Sequence, residues 1–152
     1  MGRVLNDVTV LDLTRQFSAA LSCAFLGDFG ARVIRLDFLP TVAAEPSGEW
    51  NHEADLIHRN KFSIAINLHA QRSREVLAAL IAKADVIVTD WPRDELAANG
   101  LDYAAVSALR PEIVFARLSG FGPDGPDRDL PAIDELAAAR TGAMPMLPQP
   151  GQ

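Results

Sequence analysis

Apolar and polar positions in this chain alternate between a strand rhythm and a helical one. Val8-Thr9-Val10-Leu11-Asp12-Leu13 is rich in apolar and β-branched residues and predicts a buried strand. A helix follows, with Ser18 as its expected cap and Leu21, Ala24, Phe25 and Phe29 at helical spacing on its buried side. Gly30 ends it, and Ala31-Arg32-Val33-Ile34-Arg35-Leu36 resumes as a strand. Strand, helix and strand in so short a span form a βαβ unit, whose strands pair in parallel. Between Asp37 and about Ile57 no element is evident, and Pro40, Pro46 and Gly48 break the stretch; a loop of this length is usually functional or mobile.

The alternation then restarts. Phe62 to Leu68 predicts a third strand, and Ser73 to Lys83 a helix whose buried stripe is Val76, Leu77, Leu80 and Ile81. Asp85-Val86-Ile87-Val88-Thr89 is a short central strand ended by Trp91-Pro92. Two short helices are expected near Asp94–Asn99 and Asp102–Leu109, separated by Gly100, with Pro111 blocking extension. Ile113 to Ser119 makes a fifth strand, a turn-rich stretch runs from Gly120 to Pro131, and a last helix spans about Ala132–Arg140. The expected fold is α/β: a doubly wound, mainly parallel, Rossmann-like sheet in three layers. Residues 1–142 form its domain, and 143–152, with Pro145, Pro148 and Pro150, a linker or cut end. A ligand belongs at the carboxyl ends of such strands. Those ends are near Thr14–Ala19, Asp37–Phe38, Leu68–His69, Asp90–Arg93 and Gly120–Gly125.

Composition narrows the function classes. The 152 residues suffice for one domain with a real core, and 49% hydrophobic with 22% charged residues is ordinary for a globular protein. No apolar run approaches the ~20 residues of a membrane span, and the start has no secretory signal, so no membrane partner is expected. Cys23 is the one cysteine, which precludes an internal disulfide and suits a reducing cytoplasm. The net charge of −6 argues against nucleic acid as a partner. A small anion is still compatible, because Arg15, Arg35, Arg59, Lys61 or Arg117 could hold one locally.

Single motifs carry little. Gly120-Phe121-Gly122-Pro123-Asp124-Gly125 fits G-x-G-x-x-G after a strand, but that pattern works by opening a helix, and Pro123 removes a donor. Its spacing leaves open a pocket-lining loop or a plain set of turns. Asp28-Phe29-Gly30 lacks the other kinase motifs and reads as a helix end with a core phenylalanine. His52, His58 and His69 have no zinc spacing and read as solvated loop residues, so no metal is expected. Lys61 before a strand suits a gatekeeper charge. Trp91 suits the core or a purine-stacking face, and Asp134 favours a helix dipole.

The order of segments, however, resembles one family, the family III CoA-transferases, also called CaiB–BaiF. Val8–Arg15 resembles its first strand. Leu26-Gly27-Asp28-Phe29-Gly30-Ala31-Arg32-Val33-Ile34-Arg35-Leu36-Asp37 resembles its L-x-D-x-G-A-x-V-I-K-x-E block. Arg59-Asn60-Lys61-Phe62-Ser63-Ile64 is similar to R-N-K-R-S-I, Ala84–Val88 to A-D-V-x-V, and Gly100-Leu101-Asp102-Tyr103 to G-L-D-Y. Arg110–Val114 resembles N-P-x-L-V, and Ser119–Pro126 resembles S-G-F-G-x-x-G-P.

The resemblance implies transfer of CoA between carboxylic acids. In the family an aspartate attacks a donor thioester, and the freed CoA thiolate then converts the mixed anhydride to an aspartyl-CoA thioester, which the acceptor acid resolves. That aspartate belongs to a block beyond the segment resembling Ala132–Gly142 and is expected after Gln152. None of the 152 residues is therefore expected to be catalytic, and the fold is expected to be incomplete relative to the family. Related racemases place a histidine before the aspartate matching Asp134; here Ile133 stands there. The resemblance assigns CoA or acyl-CoA contacts to Gln16, Phe17, Ser18, Ile66, His69, Asp90 and Trp91, and an active-site loop to Gly120, Phe121, Gly122 and Gly125. Phe38, Phe62 and Ala98 stand where the family often has cations, Ala19-Ala20 replace its Gly-Pro, and Asp90 replaces a frequent asparagine. Family members associate as interlocked rings, so a homo- or hetero-oligomer is expected. The first functional expectation is a fragment, split subunit or degenerate half of such a transferase, inactive alone. The second is a non-catalytic binding or regulatory module of the same fold. The third, a nicotinamide-dependent oxidoreductase, rests only on the Gly120–Gly125 spacing, and the expectation is that no NAD binds.

Overall fold

The structure is a computed structural model that describes residues 4–39 and 56–144. Two compact units divide the chain between Arg117 and Leu118. In the first, β1 (Thr9–Leu13), β2 (Arg32–Leu39), β3 (Lys61–Asn67), β4 (Val86–Thr89) and β5 (Val114–Arg117) form one sheet in the order β3-β2-β1-β4-β5. Every pairing is parallel. The helices α1 (Phe17–Asp28), α2 (Ser73–Ile81), α3 (Arg93–Ala98) and α4 (Tyr103–Leu109) belong to this unit, in which residues 56–58 are helical too, and α5 (Asp134–Thr141) belongs to the second.

Each strand's alternation sends its residues to two different layers. Leu11, Leu13, Ile34, Leu36 and Ile87 join Leu77 and Ile81 of α2, Leu96 of α3 and Val106 of α4 in one buried cluster. The opposite face is covered by α1, whose buried residues are Ala19, Ala20, Cys23, Ala24 and Gly27. Of the expected stripe, Ala24 is buried as anticipated, but its phenylalanines are not. Phe25 is 51% and Phe29 60% exposed, so Phe29 is not a core residue. Small side chains are what let α1 lie close to the sheet, and the phenylalanines point away from it. Val76, expected in the stripe of α2, is likewise exposed.

The family-like segments turn out to dock on one another. Asp28 at the end of α1 receives Arg59 Nη2 at 2.6 Å and Asn60 Nδ2 at 2.7 Å. Asn60 adopts a φ of 59° in this turn, and a Cβ on Gly27 would come within 3.3 Å of it. The turn delivers Lys61 beneath α1, where Nζ donates to Asp12 Oδ2 at 2.6 Å and to the Ala20 carbonyl at 2.7 Å. Both charged side chains are 1% exposed. Lys61 is therefore a buried structural cation and not a surface gatekeeper. Thr14 completes the network by donating to Asp12 Oδ1 from its amide and hydroxyl. On the other side of the sheet, Asp85 accepts from the Thr9 amide and pairs with Arg110.

Strand β2 runs to Leu39, three residues past its expected end, because Asp37 and Phe38 pair in register with Ala65 and Ile66. The rest of the loop expected over 37–57 lies largely outside the described residues, as do His52 and residues 145–152 of the tail. The expectation of a catalytic aspartate after Gln152 likewise falls outside the described residues, which end at Met144. Helix α1 begins at Phe17 with Gln16 as its cap residue, so Ser18 sits within the first turn. In the second unit, a Cβ on Gly120 would stand 2.9 Å from the Cα of Ala132, and Gly122 and Gly125 have positive φ. Residues 120–133 are turns and bends, and α5 opens only at Asp134.

Candidate functional site

The strand order reverses at β1, since its neighbours β2 and β4 lead to opposite edges. In such a sheet the loops leaving neighbouring strands diverge there and open a crevice. A cavity of about 450 Å3 lies at this place, lined by Leu13, Thr14, Arg15, Arg35, Asp37, Phe38, His58 and Trp91, among others. Its walls come from the carboxyl ends of β1, β2 and β4 together with the helical residues Ile57 and His58 before β3.

Two aromatic rings give the cavity its apolar part. Trp91, 1% exposed, meets Phe38 edge to face at 4.9 Å between centroids. The guanidinium of Arg15 lies 3.7 Å from the indole centroid, in cation–π contact. That same guanidinium makes a bidentate pair with Glu95, at 2.9 and 2.6 Å. Arg35 pairs with Asp37, which also accepts from the Ser63 hydroxyl at 2.9 Å. Both arginines facing the cavity are thus already neutralised within the fold.

Polar capacity is left over nearby. Trp91 Nε1 and His58 Nδ1 are buried and find no hydrogen-bond partner among the described residues. Burial, with Arg35 and then Lys61 nearby, lowers the His58 pKa and favours the neutral imidazole. His58 is accordingly a cavity residue and not a solvated one. Nη2 of Arg117, at the end of β5, is also buried and without a hydrogen-bond partner among the described residues, while its Nη1 makes a long 3.5 Å contact to the Trp91 carbonyl. Cys23 is a different case. Burial, reinforced by the Asp12 carboxylate, pushes its thiol up to about 12, which makes it an inert packing residue.

The residues singled out from the sequence are distributed unevenly around this cavity. Trp91 lines it, and the Asp90 carboxylate accepts from the backbone amides of Arg15 and Gln16 beside it. Phe17 and Ser18 form the exposed start of α1. Ile66 is buried in β3 alongside Phe38, within the core cluster. His69 is exposed in the turn after β3, with its amide bound to Asn67 Oδ1. Phe62 is 61% exposed, and Ala98 lines a second cavity of about 350 Å3 with Leu77, Leu101 and Arg74. Gly120, Phe121, Gly122 and Gly125 lie in the second unit. Sequence reasoning placed Thr14, Asp37 and Phe38 at the strand ends where a ligand belongs without naming them as contacts, and it passed over His58 as a lining residue. A signal was available in the register of β2, whose polar–apolar alternation continues through Asp37 and Phe38.

Among the described residues, no group of three or more histidine, cysteine, aspartate or glutamate side chains is placed to hold a metal. No described helix is long and apolar enough to cross a membrane.

Comparison with known proteins agrees with this architecture. The model of CoA-transferase family III matches residues 5–152. A cinnamoyl-CoA:phenyllactate CoA-transferase from Clostridium sporogenes is 32% identical over 150 residues, which cover 93% of this chain and 36% of that protein. A succinyl-CoA:glutarate CoA-transferase from Homo sapiens is 30% identical over 148 residues, covering 92% and 33%. The chain thus spans about a third of the length of these relatives. A crystal structure of a CaiB/BaiF family protein from Brucella suis superposes with a TM-score of 0.84 at 25% identity, over all of this chain and 43% of that one. A hypothetical protein from Mycobacterium tuberculosis shares the fold at a TM-score of 0.83 and 24% identity, over 98% of this chain and 42% of that one. This chain belongs to CoA-transferase family III.

Proposed function

We propose that this chain is the nucleotide-thioester part of a CoA-transferase: it holds part of CoA or acyl-CoA in the cavity at the end of β1, β2 and β4. A carboxylate nucleophile then comes from polypeptide outside these 152 residues. The observation that carries the reading is the position of the cavity, at the reversal of strand order, with Trp91 and Phe38 as its apolar wall and unused polar atoms on Trp91 and His58. The role of this part is to bind and orient the thioester, which lowers the entropic part of the transfer barrier. Acceptor acid and oligomeric partner belong to the same proposal, because an incomplete site needs a second segment to close it.

Calorimetric titration of the purified chain with CoA, acetyl-CoA and NAD tests this. CoA binding without NAD binding is expected, and Trp91→Phe is expected to weaken CoA by about tenfold, the equivalent of ~1.4 kcal/mol. A folded chain that binds none of the three would sink the reading. That result would favour a non-catalytic module of the same fold. One observation speaks for this second reading: Arg15 and Arg35, the cations lining the cavity, are already paired with Glu95 and Asp37.

A further inference from the structure

Arg15 is an unusual surface arginine. Its side chain is 42% exposed, a setting in which an arginine ordinarily samples many rotamers, yet it is held at several points. Glu95 grips the guanidinium with two bonds, the Trp91 indole lies beneath it at 3.7 Å, and its own backbone amide is bound by Asp90. Asp90 Oδ2 accepts from the Arg15 amide at 2.9 Å and from the Gln16 amide at 2.7 Å; Oδ1 adds a longer contact to Arg15 at 3.1 Å.

These amides stand at the amino-terminal end of α1, where no side chain of the helix itself supplies a cap. They would otherwise need water or a ligand. The carboxylate that serves them comes from the end of β4, across the crevice. Asp90 therefore joins the β1–α1 loop to the strand end that also carries Trp91. The consequence is geometric: with the Arg15 backbone fixed, its side chain spans from the loop to Glu95 directly across the indole.

We infer that Asp90 is a positioning residue, whose carboxylate ties down the β1–α1 loop so that Arg15 closes over Trp91 as one wall of the cavity. Because Oδ2 alone receives both short bonds, an amide oxygen in its place preserves most of the arrangement. An aliphatic side chain does not.

Trp91 fluorescence reads this directly in a Trp50→Phe background, which leaves Trp91 as the single indole. Acrylamide is expected to quench Trp91 weakly in the parent chain, about threefold more in Asp90→Ala, and near the parent level in Asp90→Asn, as loss and retention of the cation–π contact require. Should Asp90→Ala fail to fold, Arg15→Gln gives the same readout from the other end, with Trp91 becoming quenchable while Asp90 stays. An Asp90→Ala or Arg15→Gln chain that is folded with Trp91 still protected overturns the inference, and so does an Asp90→Asn chain as quenchable as Asp90→Ala. A second arm rests on the CoA reading: CoA affinity falls about tenfold in Asp90→Ala and returns in Asp90→Asn. Absence of CoA binding in the parent chain, with the quenching series as stated, counts against the CoA reading and supports the positioning role.

Discussion

At the scale of single residues, the fold depends on charges placed where water does not reach. Lys61 and Asp12 are both 1% exposed, and a buried pair of this kind resists the loss of one partner far more than the loss of both. Lys61→Met leaves the Asp12 carboxylate buried beside Thr14 without its cation. The expected cost is about 3–5 kcal/mol, measured by urea unfolding, and Lys61→Met combined with Asp12→Leu is expected to recover most of it. His58 supplies a pH dependence of definite sign. Its pKa is lowered in the folded chain, so below the ordinary value of 6.5 the unfolded state takes up a proton that the folded state resists. Stability attributable to His58 is therefore complete above that value and declines as the pH falls from about 6.5. Between pH 7.5 and 5.5, a window chosen around that ordinary value, the melting temperature of the parent chain relative to His58→Gln is expected to hold steady at the alkaline end and to fall towards the acid end.

At the scale of elements, α1 shows why apolar periodicity alone misassigned a buried face. Its sequence carries two apolar stripes: the large one holds Phe17, Leu21 and Phe25, and the small one holds Ala20, Cys23, Ala24 and Gly27. Hydrophobic weight favours the first, whereas close approach to a parallel sheet favours the second. Ala24→Leu is expected to destabilise by about 1–3 kcal/mol through overpacking, while Phe25→Gln on the open side is expected to stay within about 0.5 kcal/mol. Thermal unfolding of the two variants decides between the stripes. The strands were more legible. Buried parallel strands read as nearly continuous apolar runs, and Val8–Leu13, Ala31–Leu36 and Asp85–Thr89 each overlap an observed strand. Their ends were less so, because Asp37 and Phe38 continue β2 only by pairing with Ala65 and Ile66, and that partner strand is distant in the sequence.

At the scale of the whole molecule, each unit has its own logic. The sheet unit has β1 at its centre and β3 and β5 at its edges. Amide exchange is expected to be slowest for Val10–Leu13, intermediate in β2 and β4, and fastest in β3 and β5, since edge strands open without disturbing the centre. Equal protection of β1 and β5 in a hydrogen–deuterium exchange series would contradict this order. The second unit gathers its turns around Gly120, where a side chain would press on the Ala132 backbone.

The polypeptide pattern determined the class of fold and the order of its elements, because those follow from local periodicity and from the parallel pairing that a strand–helix–strand unit imposes. Its segment order also carried the family. Tertiary structure alone decided which groups meet: Lys61 with Asp12 across 49 positions, Arg15 and Gln16 with Asp90 across 75 and 74, and Arg15 with Glu95 across 80. Such pairings depend on strand order and on the reach of each side chain in three dimensions. No spacing along the chain encodes them, and so, although the strand ends marked where a ligand belongs, the contacts that shape the cavity and the clamp beside it became visible only in the folded protein.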